Sequence, residues 1–500
     1  MNKVFLTKIV RFFIIITVFF IIYLYLIPAL KFSSAWGESM YFPYISQTSG
    51  VNYNPFWQMF LASDHGWFLY SFVMVFTNRY MPLILNMHHQ DYMSQYNIWI
   101  ILTCYMFFLL SVQFHFEKYF KNKLLSIFAV FFILPVLLIF QAIPYGMWWF
   151  AHDCWFYAYI LLTVFPVILY TKFEKQFVLN QTLNKRDYFI YFILILLTGV
   201  GHEFFKAVVL FSFPIFFFLN NIFLKNKIEF TKFLKIYITT IILNSLVFLT
   251  TIPVSWFLEK KRTFIQCINI FVPYMKEYFH TVIMNNIYLL IIITVLSVVG
   301  HFITKKSESF KKLNVISYSV LISVLLFNIV IILGKEQYEF SFIHPGVIFL
   351  TKLTFLLIIL SLSGYIISVT KPKNRIIFIL LLASVSAVFS YKKRKYFDIT
   401  PITNFHKEHK IKLYLTEKMF YLYGKEHKTL YLFDNDMFPQ FIIYEYLYKY
   451  DDIKNTDNYD VILIENDIKK FRNFITENTG ITITNEELEN LKFSDITELK

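Results

Sequence analysis

The sequence predicts an α-helical polytopic membrane protein with about eleven transmembrane helices, followed by a small α/β domain. Three observations predict it. The 500 residues are 57% hydrophobic and only 16% charged, with a mean hydropathy of +0.53; soluble domains carry about a quarter charged residues. Apolar runs long enough to span a bilayer recur along the first four-fifths of the chain. After Tyr391 the composition turns polar. The 61 Phe and 35 Tyr against 12 Gly reflect a coding bias, so aromatic stripes are read as lipid-facing bulk.

The runs, in order, are Phe12–Pro28, Tyr96–Phe116, Leu124–Ile143, Trp155–Tyr170, Tyr188–Gly199, Phe204–Leu224, Phe233–Leu258, Val282–Ile303, Val315–Leu333, Val347–Val369 and Ile376–Tyr391. Phe12–Pro28 is too long for a signal-peptide core and reads as a retained span. Tyr188–Gly199 is short for one. Every second connection is basic: Lys118/Lys121/Lys123, Lys172/Lys175/Lys185/Arg186, Lys225/Lys227/Lys232/Lys235, Lys305/Lys306/Lys311/Lys312 and Lys371/Lys373/Arg375. Such alternation places these clusters and the N-terminus in the cytoplasm of a bacterial inner membrane. It also accounts for the net charge of +14 without nucleic acid. Lys260–Arg262 and Lys392–Lys395 fall on the opposite face and strain the assignment.

The outer face receives a long first loop, residues 32–95. Within it, His65–Leu85 is interrupted by Asn78, Arg79 and Pro82 and reads as an interfacial amphipathic helix, followed by a polar turn at Asn86–Asp91. Glu259–Thr281 is an outer connection. Residues 1–391 form the membrane domain and 392–500 the extracytoplasmic α/β domain. The latter has helix-like runs at Lys412–Lys425, Phe438–Tyr450, Asp467–Glu477 and Asn485–Leu491, and strand-like runs at Leu430–Phe433 and Val461–Ile464. No GxGxxG or Walker loop occurs, and Cys104, Cys154 and Cys267 form no CxxC pair.

The outer face gathers the unusual polar residues. Glu38 is a general base for an acceptor hydroxyl or a solvated loop acid. Asp64 is a second such carboxylate or the N-cap of the helix after it. His202 and Glu203 sit in a glycine-flanked hairpin, where they contact a ligand or Glu203 pairs with Lys206. Arg79, Lys206 and Lys352 suit a lipid-linked phosphate, or snorkel at the interface. His152 stands beside another outer loop. His88, His89 and Asp91 offer a divalent-metal site only with a further ligand such as His65 or His152. No other cofactor is implied.

These features together resemble the GT-C superfamily of polytopic glycosyltransferases. The resemblance rests on the retained first helix and the acid early in the first external loop (Ala35-Trp-Gly-Glu38). It also rests on the basic end of the interfacial helix (Asn78-Arg79) and the downstream acidic hairpin (Gly201-His-Glu203). Gly37 stands where a second acid is usual, Asn78 replaces a Gly and His202 an Asn. The resemblance implies an inverting transfer of a sugar from a polyprenyl-phosphate carrier to a glycan or lipid-linked acceptor. In it Glu38, or Asp64, is the base; Arg79, with Lys206 or His152, stabilises the leaving phosphate; and Glu203 holds the sugar. The competing readings are a transporter or flippase for lipid-linked saccharides, a polysaccharide polymerase, and a non-catalytic scaffold.

Overall fold

The structure is a computed structural model. It describes residues 76–119, 154–182, 184–199, 201, 203–224, 264–305, 307–334, 345–371, 400–434 and 459–497, with scattered helical positions within 9–24, 69–73, 235–242 and 377–388. Glu38, Asp64, His152 and His202 lie outside the described residues, as do the run Leu124–Ile143 and the helix-like run Phe438–Tyr450.

The described residues are mostly helical. Among the described residues eight helices of 15 or more residues fall in the apolar part: α1 (His89–Glu117), α2 (Cys154–Phe177), α3 (Lys185–Gly199), α4 (Glu203–Leu224), α5 (Phe264–Tyr278), α6 (Ile287–Ile303), α7 (Glu308–Gly334) and α8 (Pro345–Val369). Among the described residues, Phe204–Leu224, Glu308–Phe327 and Leu350–Val369 are long and apolar enough to cross a membrane. A fourth span arises if Phe271–Ile283 and Ile287–Ile303, bent by 70°, count as one.

Packing follows membrane chemistry. On α6 the residues Ile287, Ile291, Val295, Val298 and Phe302 form an outward row, with Phe302 71% exposed; an apolar stripe like this is costly in water and ordinary in lipid. Inward, small residues let helices approach. Gly300 of α6 receives the Phe310 ring of α7 and the Ile366 tip of α8, and Gly364 of α8 receives Phe116 of α1. Buried Ser317, Ser319 and Ser323 of α7 each donate to the carbonyl four residues back, so their hydroxyls need no partner across the bundle.

Two expectations change. The polar turn ends at His88, not Asp91. His88 is the N-cap of α1, its Nδ1 accepting from the Gln90 N–H at 3.1 Å, so α1 begins seven residues before its apolar run. The connection expected on the outer face, Glu259–Thr281, contains α5, whose Tyr274 and Tyr278 are buried.

The polar C-terminal part forms a second hydrophobic cluster. α9 (Thr400–Met419) leads through a π-helical turn, Phe420–Gly424, to β1 (Thr429–Phe433), which pairs in parallel with β2 (Asp460–Ile464), Thr429 opposite Asp460. Both strands fall on the runs expected from sequence. β1 is buried along its whole length and β2 is outward. α10 (Ile468–Thr479) is capped by Asp467 and stops at Gly480, whose φ of 72° suits glycine. The short helices α11 (Asn485–Glu489) and α12 (Ser494–Thr497) complete it. Tyr92 and Met93 of α1, each 1% exposed, belong to this cluster, not to the bundle's core.

Candidate functional site

The two ends of α1 differ in chemistry. With 29 residues, α1 is about 43 Å long at about 1.5 Å per residue, more than the roughly 30 Å of a hydrocarbon core.

At its C-terminal end the helix termini converge on a buried polar cluster. Glu174 of α2 receives the Lys118 ammonium at 2.6 Å, the Tyr119 hydroxyl, and the Ser361 hydroxyl of α8 at 2.9 Å. The Lys118 side chain is fully buried and that of Glu174 is 5% exposed. His115, one turn before Lys118, has Nδ1 2.7 Å from Thr171 and Nε2 2.6 Å from Ser361. Thr171 already donates to the Val167 carbonyl, so Nδ1 carries the ring proton. Ser361 has one hydrogen and two acceptors, Glu174 and Nε2. The Lys118 ammonium, 3.1 Å from both ring nitrogens, opposes a second positive charge. The ring is therefore neutral, and Ser361 serves it whenever it does not serve Glu174. A cavity of about 40 Å³ adjoins the cluster, bounded also by Pro166, Tyr170, Val208, Ser317 and Thr354, with room for about three waters at about 10–15 Å³ each.

Around this cluster lie Lys172, paired with Asp187 of α3 at 2.8 Å, Lys175 over the Phe114 ring at 4.4 Å, and Lys312 of α7, 3.5 Å from Asn180. Ser307, just before α7, meets Tyr365 of α8 at 3.1 Å. Lys118, Lys172, Lys175 and Lys312 thus share one end of the described bundle. Sequence reading missed Glu174 and His115 as a site. The available signal was two polar pairs at i,i+3, His115/Lys118 and Thr171/Glu174, each ending an apolar run.

Higher in the bundle is the acidic hairpin. α3 has 15 residues and so rises about 22 Å, short of a full crossing. The turn at Gly201 is buried there; a Cβ on it would stand 3.1 Å from the Leu197 carbonyl and 3.4 Å from the Leu162 side chain of α2. Leu162 lies about 12 Å along α2 from Cys154, eight residues at about 1.5 Å. The hairpin is thus recessed below the start of α2. Glu203 opens α4 at this depth, with half-buried Lys206 one turn on. Phe204 is fully buried against Phe327 of α7, ring centroids 4.9 Å apart. Lys352 is half-buried on α8, next to Thr351, which faces the Tyr278 hydroxyl at 3.5 Å.

At the N-terminal end of α1 the backbone of Arg79 belongs to a π-helical turn, Phe76–Tyr80, running into a short helix, Met81–Ile84. Leu83 and Ile84 are each 68% exposed while Met81 and Met87 face the C-terminal cluster, as an interfacial segment requires. His88 Nδ1 is occupied by Gln90, so its Nε2–H donates to Glu417 of α9 at 2.8 Å. Asp91 accepts the backbone N–H groups of Phe493 at 3.0 Å and Ser494 at 2.9 Å. These contacts use both ring nitrogens of His88 and both oxygens of Asp91. Among the described residues no group of three or more His, Cys, Asp or Glu could hold a metal ion.

Comparison with protein-family models, curated proteins and solved structures finds no match to this chain.

Proposed function

We propose that the chain is a membrane glycosyltransferase that moves a sugar from a polyprenyl-phosphate carrier to a cell-envelope glycan or lipid-linked acceptor on the outer face. The observation that carries this reading is the recessed hairpin. An acid at hydrocarbon depth costs about 2.5–3.5 kcal/mol and marks a functional path, which supports a role for Glu203 in binding a lipid-borne sugar. Arg79, at the opposite end of α1 from the lysines, supplies the matching cation. About eleven spans, a cytoplasmic N-terminus and an extracytoplasmic C-terminal part fit the gathering of lysines at one end of α1.

In the reaction, Glu38, or Asp64, takes the proton of the acceptor hydroxyl. The acceptor oxygen bonds to the anomeric carbon as the bond to phosphate oxygen breaks, and the departing phosphate carries its charge to Arg79, with Lys206 or His152. Glu203 holds the sugar hydroxyls. The test is transfer from polyprenyl-phosphate sugars by the purified protein. Glu38→Gln abolishes it with membrane insertion unchanged; activity that survives both Glu38→Gln and Asp64→Asn removes these roles.

One observation favours a second reading, a transporter or flippase for lipid-linked saccharides: the His115–Lys118–Glu174 cluster beside its cavity, since ionisable groups inside a bundle often line translocation routes. Substrate movement across reconstituted vesicles that depends on Glu174 and not on Glu38, with no new glycosidic bond, would select it.

A further inference from the structure

The C-terminal part is joined to the bundle by more than its covalent link. Its hydrophobic cluster contains Tyr92 and Met93 of α1 and is flanked by Met81 and Met87. Polar bonds surround that contact: His88 to Glu417, Asp91 to the amides of Phe493 and Ser494, and Lys410 to Ser94 at 2.8 Å. The side chains of His88 and Glu417 are 5% and 0% exposed, and charge-assisted bonds of this kind lose little to water. Between His88 and Arg79 the chain has little freedom. Leu85, Asn86 and Met87 donate backbone N–H bonds to Met81, Leu83 and Pro82, and Asn86 takes a φ of 50°. A displacement at Asp91 therefore passes directly to the turn that carries Arg79.

We propose that His88 and Asp91 are positioning residues, which lock the interfacial segment Phe76–Met87 onto the C-terminal part and so fix Arg79 relative to the outer-face site. The C-terminal part is then the support of that segment. Its chemical consequence, placement of a cation for a lipid-linked phosphate, rests on the glycosyltransferase reading; the docking does not.

The experiment uses the full chain with Cys104, Cys154 and Cys267 replaced by Ala and spin labels at Leu83→Cys and Lys470→Cys, both surface positions. Pulsed electron resonance gives one narrow distance in the parent, broadened in Asp91→Ala and in Glu417→Gln. Asp91→Asn keeps the shape and one acceptor oxygen, so it broadens less and covers the case in which Asp91→Ala fails to fold. A distribution already broad in the parent, or one left narrow by Asp91→Asn and Glu417→Gln alike, overturns the proposal. Where transfer is measured, Asp91→Asn raises KM for the lipid-phosphate donor several-fold with a smaller change in kcat. A parent that docks as described but transfers no sugar sinks the glycosyltransferase reading and leaves the docking standing.

Discussion

Replacing Glu174 by Gln leaves the Lys118 ammonium inside a bundle where its side chain has no exposure. The amine either stays charged without its counter-ion or gives up its proton. Giving it up at pH 7 costs about 4.6 kcal/mol, the gap of about 3.4 between the ordinary lysine pKa and pH 7 at about 1.36 kcal/mol per pH unit. That is the ceiling on the penalty. Lys118→Met leaves a carboxylate instead, and protonating it at pH 7 costs about 3.7 kcal/mol by the same arithmetic. Both fall in the range of about 3–5 kcal/mol seen when one partner of a buried pair is removed. The double variant strands neither charge and should lose less than either single change. The pH dependence is the sharper sign: the Glu174→Gln penalty shrinks as pH rises, because neutralising the lysine becomes cheaper, and the Lys118→Met penalty shrinks as pH falls. The assay is thermal unfolding of the purified full chain in detergent between about pH 5.5 and about pH 9. Additive penalties in the double variant, or Tm curves parallel to the parent at every pH, would refute the claim that this pair is buried and ionised.

Three further outcomes are expected. Gly300→Ala puts a methyl into the Phe310 ring and 2.8 Å from Ile366 Cδ1; with Phe310 fully buried the ring has nowhere to retreat, and stability should fall by an overpacking cost of about 1–3 kcal/mol, read as a lower Tm. In the C-terminal part, burial alone would raise the Glu487 carboxyl, but the Lys418 ammonium and the Tyr414 hydroxyl that donate to it hold it below the usual range. Its contribution is therefore complete above the unfolded carboxylate value and is lost as pH falls through the folded one, so Glu487→Gln should lower stability at neutral pH and flatten the acid limb of a Tm titration; an unchanged acid limb would contradict this. Finally, a small charged thiol reagent applied outside sealed cells should label Leu83→Cys quickly and Lys206→Cys slowly, and equal rates would remove the recessed position of the hairpin.

The described helices were legible where hydrophobicity alone decides them. Phe204–Leu224 and Val347–Val369 were read within two residues of α4 and α8 because lipid selects uniformly apolar stretches and polar turns end them. The start of α1 was not legible. His88-His89-Gln90-Asp91 reads as a turn by composition, and becomes a helix start because its cap and its carboxylate are completed by Glu417 and Phe493, 329 and 402 residues away. α5 was hidden for a related reason: Pro273 and Lys276 break an apolar pattern that only burial of Tyr274 and Tyr278 makes coherent. Of the candidate site, sequence identified Glu203 and Lys206 on one hairpin and Arg79 on an interfacial segment. It assigned Lys118, Lys172 and Lys175 to topology and passed over Glu174 between them. A carboxylate among lysines looks solvated until its partners are known to be buried.

Helix length turns these placements into an argument about depth. α1 carries the lysine-rich cluster at one end and the C-terminal hydrophobic cluster at the other, about 43 Å apart for 29 residues at about 1.5 Å each. Its middle, through Phe107, Leu110 and Phe114, turns apolar side chains outward, a stripe that is costly in water and ordinary in lipid. α3 starts among the same lysines and stops about 22 Å up, 15 residues at about 1.5 Å each. The bond from Tyr170 to Ser212 at 2.5 Å and the contact of Gly201 with Leu162 hold α4 against α2 at the corresponding heights. Glu174 and Lys118 therefore lie near the lysine-rich end, the start of α4 at Glu203 part-way up, and the turn Phe76–Tyr80 at the far end of α1. A translocation path would have to join all three, and the fully buried Phe204 and Phe213 of α4 stand along the height between Glu203 and Glu174.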